Sequence, residues 1–576
     1  MAAARLCSQR NGKDGLTTWH YLLASRVRSG PAMLPLAVHN PVPRPRAPRQ
    51  WRRALAVSLL LPLAACKVGP DFKAPTAPVA SNWLESGDPA VRSGHLDDRQ
   101  WWTLFNDPTL NRLIDLAYHQ NLTLMAAGTR VIEARATLGL AIGELYPQTQ
   151  QIGAGVAYNQ APRTDAAANP TLALGNFWRA SLSSQIAWEL DFWGKFRRGV
   201  ESADAAYLAS IATYDDVLVT LLGDVATTYT GIRTLQQQLI IARENVVRQR
   251  KALQIARDRF HGGTATELDV YQAQNVLAQT ESAIPQLTAE LQQGEDALRV
   301  LLGMSPEALD SLLAGPQTIP VPPKDAVVGI PADLLRRRPD IRAAELNAAA
   351  QSAQIGLAKA DLYPAFFLQG AFGTSAATVG NSRLNQVFSG QAIQFSFGPS
   401  FSWPLLNYGQ ITNNVRVQDA RLQTLLIAYQ NTVLTAQADV ENALAGFLQG
   451  RHQVELLRQS VAAAINAVRI ATDQYLLGTR DFTTVLTAEQ NLYTAQNSLA
   501  SAEGSWANSL TSLYRALGGG WQIREGNGFV NDATRDEMRN RTNYGGVLPA
   551  ADKPQPSAPG LPGPADRGPD VRAPQW

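Results

Sequence analysis

The amino-acid sequence contains two copies of one long unit. The segment 188–194 (WELDFWG) returns 215 residues later as 403–409 (WPLLNYG), and 260–275 returns at the same spacing as 475–490. Solenoid proteins have repeats of about 20 to 50 residues, so a unit this long is not a solenoid repeat. The chain is therefore predicted to form one fold from two similar halves.

Each half begins with a predicted helix that ends at a Tyr-Pro pair. The helical stretches cover 107–145 and 334–362, and Pro147 and Pro364 follow them. Proline ends a helix because it lacks a backbone N–H and its ring clashes with the preceding turn. Both helices are therefore predicted to end in the same way.

A β-rich section follows this helix in each half. Apolar and small polar residues alternate along 393–403 and 178–190, with weaker strands before them at 151–158 and 364–373. Alternation with period two predicts strands with one apolar and one polar face. A soluble sandwich would alternate similarly, but aromatic residues at the strand ends favour the interfacial girdle of a membrane β-barrel. The predicted girdle residues are Trp178, Trp188, Trp193, Phe401 and Trp403.

The longest predicted elements are two helical hairpins, at 195–302 and 410–518. Neither 195–260 nor 410–477 contains proline, and apolar residues recur there every three or four positions, as in coiled coils. A helix of that length extends about 90–100 Å. A glycine turn is then predicted to reverse each long helix into a shorter one.

Four strands per chain are too few to close a barrel. An open sheet edge cannot face lipid, because its backbone groups would have no hydrogen-bond partners. Outer-membrane barrels have at least about eight strands. Several copies must therefore pool their strands, and a trimer would form a 12-stranded barrel with a helical barrel beneath it.

The N-terminal region is typical of a secretory lipoprotein signal. Arginines within 44–53 precede an apolar run at 54–61, and 63–66 (LAAC) resembles a bacterial lipobox. Cys66 is therefore predicted to become the lipid-bearing N-terminus, although a generic signal with a chance cysteine would read similarly. Cys7 precedes the predicted cleavage point, so no disulfide is expected.

Several motifs resemble one known family. Residues 100–121 (QWWTLFNDPTLNRLIDLAYHQN) and 338–341 (RPDI) are similar to the opening and mid-chain motifs of TolC-type outer-membrane efflux proteins. They are most similar to the OprM/NodT-like lipoprotein branch. The hairpin tips at 260–270 and 475–485 resemble the paired tip sequences of that branch. The resemblance covers about residues 66–520.

The resemblance implies a mostly α, TolC-like fold with a membrane β-barrel and a periplasmic α-barrel, closed as a homotrimer. It implies a passive, gated conduit that exports small molecules and drugs through the outer membrane of a Gram-negative bacterium. The implied partners are a periplasmic adaptor protein, an inner-membrane pump, usually of the resistance-nodulation-division class, and outer-membrane lipid. It implies no catalytic residue and no cofactor.

Scattered histidines without ligand spacing predict no metal site, and the absence of basic runs in the repeats predicts no nucleic-acid binding.

The predicted organisation follows the two repeats. The predicted segments are a leader and signal peptide (1–65), a lipid-anchored segment (66–106), the first repeat (107–303), a proline-rich linker (304–333), the second repeat (334–519) and a C-terminal segment with a disordered tail (520–576).

Alignment of the tips with the family indicates a gate and an adaptor surface. Asp269, Tyr475 and Arg480 match positions that hold the periplasmic end closed, whereas a solvated tip with unrelated charges is the alternative. Thr484 and Thr487 stand where some members carry acidic residues, so an acidic constriction is not expected there. The expected adaptor contacts are Gly263, Thr264, Gly478 and Thr479.

Two other functions fit parts of the sequence. A conduit for type I protein secretion would share the fold and differ in its cargo. A lipid-anchored periplasmic coiled-coil scaffold would explain the hairpins but would leave the aromatic strands without a role. The sequence offers no Ser/His/Asp arrangement, phosphate loop or nucleotide motif that would support an enzyme.

Overall fold

The computed structural model confirms the predicted duplication and the order of elements in each half. It describes residues 67–93, 99–160, 176–306, 309, 311–315, 317–328, 331, 337–379 and 382–548. The first half contains β1 (Val91–Ser93), a 3-10 helix (Trp101–Phe105), α1 (Pro108–Gln120), α2 (Leu122–Gly143), β2 (Thr149–Asn159), β3 (Phe177–Leu190), α3 (Lys195–His261) and α4 (Glu267–Leu301).

The second half repeats the order of helix, strand pair and long hairpin and adds a short C-terminal extension. Two 3-10 helices (Leu384–Phe388 and Gly390–Ala392) connect its two strands. Its other elements are β4 (Ala326–Val328), α5 (Pro339–Ala360), β5 (Ala365–Ala377), β6 (Ile393–Ser402), α6 (Gln410–Leu476), α7 (Phe482–Ala516), a 3-10 helix (Trp521–Arg524) and α8 (Asp532–Arg541).

The helical stretch predicted at 107–145 is two helices, because Asn121 interrupts it. The backbone of Asn121 is extended, and its side-chain oxygen accepts a hydrogen bond from the Leu124 N–H (2.8 Å), which caps α2. The Asn121 side chain also donates to the Leu301 carbonyl (2.9 Å), at the end of α4. Such a cap satisfies a free N–H at the helix start, and here it also ties α2 to the end of the hairpin.

Strands β2, β3, β5 and β6 form one antiparallel sheet in that order. Its central pair joins the two repeats, since β3 belongs to the first and β5 to the second. Trp188 of β3 lies opposite Leu368 of β5. Strands β1 and β4 form a separate parallel pair beside the helices.

The hairpins have the predicted form. Helices α3 and α6 contain 67 residues each, and α4 and α7 contain 35 each. At 1.5 Å per residue they extend about 100 Å and 50 Å. Among the described helices, α3 alone has a window apolar enough to cross a membrane, but nearly half of that window is buried against neighbouring helices.

Two apolar clusters hold the hairpins together. The larger one surrounds Tyr229 and Phe447 and includes Trp101, whose ring stacks on that of Tyr514 at 5.8 Å. The smaller one lies near the tips and joins all four hairpin helices through, among others, Ala256, Val270, Tyr475 and Phe482. Packing of these faces stabilises helices far longer than any local propensity could.

The segment from Gly520 to Leu548, where the sequence shows no helical period, packs against the first repeat. Met538 of α8 packs on Ile132 of α2, and a buried ion pair joins Arg524 to Asp215 of α3 (2.5 Å). Sequence periodicity misses α8 because the helix has only 10 residues and is largely polar. The predicted tail from Pro549 onward lies outside the described residues, as do Cys66 and the signal region.

Candidate functional site: a two-faced sheet and the hairpin tips

One face of the four-stranded sheet is apolar and open. Its large side chains are between 42% and 81% exposed, and they come from all four strands. Apolar surface on this scale is costly in water and marks an interaction or membrane surface. The residues are Ile152, Val156, Tyr158, Trp178, Leu182, Ile186, Phe372, Phe395, Phe397 and Phe401.

The opposite face carries mostly small and polar side chains, with Phe177 and Phe367 near its two ends. The four strands contain two charged residues, Arg179 and Glu189, which lie near opposite ends of β3. A polar interior opposite an apolar exterior is typical of transmembrane β-barrels. The polar face includes Gly153, Gly155, Ser181, Ser183, Gln185, Gln369, Ala371, Gly373, Ser396, Gly398 and Ser400.

Tryptophans tie the sheet to the helices in both repeats. The indole N–H of Trp188 donates to the Leu145 carbonyl, and that of Trp403 donates to the Leu362 carbonyl, both at 3.1 Å. Trp193 donates to the Pro364 carbonyl (2.8 Å) and stacks on the ring of Tyr363. Amphipathic tryptophans suit a membrane–water boundary.

The remaining predicted girdle residues lie at both ends of the strands. Phe401 is beside Phe366 at the helix end of the sheet, with ring centres 6.3 Å apart. Trp178 is at the opposite end, beside Tyr158 at 5.1 Å. The five predicted girdle residues thus fall into two bands, four near the helices and one at the far end of the sheet.

The two hairpin turns have the same backbone structure. Gly263 and Gly478 adopt left-handed backbone angles, with φ of 72° and 71°, which glycine adopts without strain. The N–H of Thr264 donates to the Arg259 carbonyl, and that of Thr479 donates to the Gln474 carbonyl. The predicted adaptor contacts therefore lie on two equivalent, exposed turns.

Asp269 has a local role in the structure. Its carboxylate accepts a hydrogen bond from the Thr266 N–H (3.0 Å), and the Thr266 hydroxyl accepts one from the Asp269 N–H (3.3 Å). This reciprocal pair is a capping box at the start of α4. Arg480 is exposed and lies next to Asp481 in the chain, and its charge helps to lower the pKa of that carboxyl group. The structure therefore does not bring Asp269 and Arg480 together within one chain.

Arg259 joins the two tips, and the sequence analysis did not identify it. Its guanidinium donates to the carbonyls of Tyr475 (2.6 Å) and Leu476 (2.5 Å) and lies 4.5 Å from the centre of the Tyr475 ring. The Tyr475 hydroxyl is buried without a hydrogen-bond partner among the described residues, and burial raises its pKa. One difference between the repeats could have identified Arg259 from the sequence: the equivalent position of the second repeat is Gln474.

Thr484 and Thr487 line the second hairpin. The Thr484 N–H and hydroxyl both donate to the Asp481 carboxylate, and these bonds lower the pKa of Asp481. Both threonines border a groove of about 860 Å³ between α6 and α7, which also contains Asn491. The described residues contain no cluster of His, Cys, Asp and Glu able to hold a metal ion.

Comparison with known proteins identifies the family to which the chain belongs. The sequence pattern of the family described as "outer membrane efflux protein" matches residues 113–304 and 330–519. The chain belongs to the outer membrane efflux protein family. The two matched segments correspond to the two repeats, so both copies carry the family pattern.

The relatives of this efflux protein are outer-membrane components. The toluene efflux pump outer membrane protein TtgI of Pseudomonas putida is 31% identical over 491 residues, 82% of this chain and 99% of that protein. Nodulation protein T of Rhizobium leguminosarum bv. trifolii is 30% identical over 459 residues, 80% of this chain and 95% of that protein. The solved outer-membrane channel OprN has a TM-score of 0.73 at 33% identity, covering 79% of this chain and 100% of that chain. The chain is thus an outer-membrane efflux channel protein with a TolC-like fold.

Proposed function

We propose that three copies of this chain form one passive outer-membrane conduit, which exports small molecules and catalyses no reaction. The observation that carries this proposal is the two-faced sheet, whose outer strands β2 and β6 have no second neighbour in the described chain. Such edges cannot face lipid. Three copies would provide twelve strands, enough to close a barrel with the apolar face outward.

The internal duplication indicates how neighbouring copies would meet. Trp193 of the first repeat stacks on Tyr363 of the second. The equivalent residue of the second repeat, Tyr408, is 93% exposed, and the equivalent of Tyr363 is Tyr146, which is also exposed. We expect Tyr408 to lie on Tyr146 of the next copy, which would repeat the internal contact around a closed ring.

The proposed partners follow from the two ends of the molecule. Cys66 would carry the lipid that anchors the chain in the outer membrane. The exposed turns at Gly263–Thr264 and Gly478–Thr479 would contact a periplasmic adaptor protein, which connects the channel to an inner-membrane pump of the resistance-nodulation-division class. Because TtgI is named for toluene efflux, small apolar molecules are the proposed cargo class.

The proposed gate lies at the same tips. Arg259 and Tyr475 would hold the two hairpins of one copy together, and the exposed Arg480 would bind an acidic group of the next copy, with Asp269 as the candidate. Charge-assisted hydrogen bonds are strong yet exchangeable with water or a partner. Thr484 and Thr487 would leave the constriction at their level uncharged.

Conductance of the purified chain in a planar lipid bilayer tests the channel. Small, long-lived openings from a trimer are the expected result, because a closed tip would limit current through a wide barrel. A folded trimer that gives no current, both as wild type and as Arg480→Ala, would favour a scaffold without a pore. Loss of a secreted protein upon deletion of the gene would instead identify a type I secretion conduit.

A further inference from the structure

The first described residues of the chain are bound by one buried arginine. The side chain of Arg198, at the start of α3, is 1% exposed. Its guanidinium donates to the carbonyls of Val68 (3.1 Å) and Gly69 (3.2 Å) and to the carboxylate of Asp71 (2.9 Å). It also donates to both carboxylate oxygens of Glu201 (3.2 and 2.9 Å). Most of its hydrogen bonds therefore hold the segment 67–71.

The backbone of this segment is also packed against the fold. The Val68 N–H donates to the Trp193 carbonyl (3.0 Å), and Lys67 forms an ion pair with Glu201. Gly69 has a φ of 99°, and a Cβ there would lie 2.4 Å from the Cα of Gly356. Glycine at this position therefore permits a backbone contact that other residues would prevent.

Gly356 is equally constrained. A Cβ on Gly356 would lie 2.8 Å from both Arg198 Nε and the Val68 carbonyl oxygen. The backbone at Val68 and Gly69 is thus packed directly against Gly356 of α5 and the Arg198 side chain. A buried guanidinium is costly unless all its donors are bonded, so Arg198 and the segment depend on each other.

This contact lies where the sheet meets the helices. Trp193, whose backbone carbonyl accepts the hydrogen bond from the Val68 N–H, is one of the predicted girdle tryptophans, and its ring stacks on Tyr363 at the helix end of β5. The sequence places Cys66 directly before Lys67. The described chain therefore leaves no flexible linker between the predicted lipid attachment residue and the rim of the sheet.

We propose that Arg198 is the positioning residue for the membrane anchor: it fixes the start of the mature chain to the rim of the sheet. Lipid attached at Cys66 would then enter the bilayer beside Trp193, at a set depth. If the lipid were attached through a flexible linker, the anchor would not fix the depth of the channel in the bilayer. This inference rests on the lipidation proposed above, but the contact with Arg198 can be measured without lipid.

Cleavage by a lysine-specific protease tests the contact in the full, detergent-solubilised chain. A Lys73→Gln background removes the neighbouring exposed lysine, and mass spectrometry of new N-termini then reports cleavage between Lys67 and Val68. We expect this bond to resist cleavage in the folded protein. Arg198→Met should accelerate its cleavage at least about tenfold, since a lost bond to a charged group weakens the closed state by about 1.5–3 kcal/mol.

Two further variants separate positioning from general stability. Arg197→Met removes the neighbouring arginine, which instead pairs with Asp191 (3.0 Å), and should leave the bond protected. Gly356→Ala should expose the bond while Arg198 is retained. Cleavage after Lys251, ten residues before the end of α3, serves as the internal reference for unfolding of the hairpin and should not change.

The outcomes are distinct. Equal protection of the bond in Arg198→Met, Gly356→Ala and Arg197→Met would overturn the proposal, as would rapid cleavage in the Lys73→Gln parent. Radiolabelled palmitate reports lipidation separately: an unlabelled chain with a protected bond would contradict the lipid anchor and leave the contact itself intact. A labelled chain that releases its label upon cleavage in Arg198→Met supports both.

Discussion

At the residue scale, the tip contains polar groups with more than one candidate role. Asp269 caps its own helix in this structure, and the same carboxylate is the proposed partner of Arg480 in the next copy. A cap and a gate differ in what they need from the side chain. The cap needs an acceptor, which a glutamine supplies, whereas a charge-assisted bond to arginine needs a carboxylate.

Substitution of Asp269 separates these two roles. If Asp269 is part of the gate, Asp269→Gln and Asp269→Ala should both raise single-channel conductance, as should Arg480→Ala. If it is only a cap, Asp269→Gln should behave as wild type and Asp269→Ala should lower stability by about 1 kcal/mol. Glu267→Gln is the control, because the Glu267 carboxylate accepts from the Tyr271 hydroxyl on its own helix (3.0 Å).

Glu489 should make the stability of the paired hairpins depend on pH. It is 5% exposed on α7, one carboxylate oxygen has no hydrogen-bond partner among the described residues, and burial raises its pKa to about 7. Between about pH 4.5 and 7 the folded chain then binds more protons than the unfolded chain, so stability falls as pH rises. Above pH 7 this cost is fully present.

Glu489→Gln should remove that dependence. We expect the variant to be more stable than wild type at pH 8, by up to about 3 kcal/mol, and similar to it near pH 4, because one pKa unit corresponds to about 1.36 kcal/mol. Thermal unfolding of the solubilised protein at both pH values measures the difference. Glu503→Gln, on the same helix but paired with Arg458, should keep the pH dependence of the wild type. An unchanged slope in Glu489→Gln would show that Glu489 is charged in the folded chain.

At the element scale, a lysine should reduce the amount of folded trimer at one residue of a strand and be tolerated at the next residue. Phe397 lies on the apolar face of β6 and Ser396 on the polar face. Phe397→Lys should reduce the amount of folded trimer in the outer membrane, since a lysine facing lipid at the bilayer midplane costs about 2–4 kcal/mol. Ser396→Lys should be tolerated. Equal loss in both variants would contradict the assignment of the faces.

The elements themselves were largely predictable, because long periodic patterns define them. The strands at 178–190 and 393–403 were expected within about two residues of β3 and β6, and the turns fall at Gly263 and Gly478 as predicted. The interruption at Asn121 was missed although its cap to the Leu124 N–H is local, because the helical pattern continues on both sides of it; the second bond of its side chain, to the Leu301 carbonyl, is distant in sequence. Arg198 and Arg259 were missed because both bind backbone carbonyls of residues distant in sequence, which a sequence pattern does not identify.

At the scale of the whole molecule, the duplication predicts how strands pair between copies. Within the chain, Trp188 of β3 pairs with Leu368 of β5. The second repeat places Trp403 where the first has Trp188, and the offset of 215 to 217 residues between the repeats places the equivalent of Leu368 within 151–153. The apolar face must also continue across the seam, which selects Ile152 of the next copy as the residue opposite Trp403.

Cysteine pairs test this register in the assembled channel. On the polar face the same register places Ser400 of one copy opposite Gly155 of the next. A chain carrying Ser400→Cys and Gly155→Cys should therefore form a covalent trimer upon mild oxidation, since opposed residues lie within disulfide range. The control, Ser396→Cys with Gly155→Cys, shifts the pairing by four residues, about 13 Å along the strand, and should remain monomeric on denaturing gels. Cross-linking of the control alone would show a different register, whereas a covalent ring of more than three chains from the first pair would contradict three-fold closure.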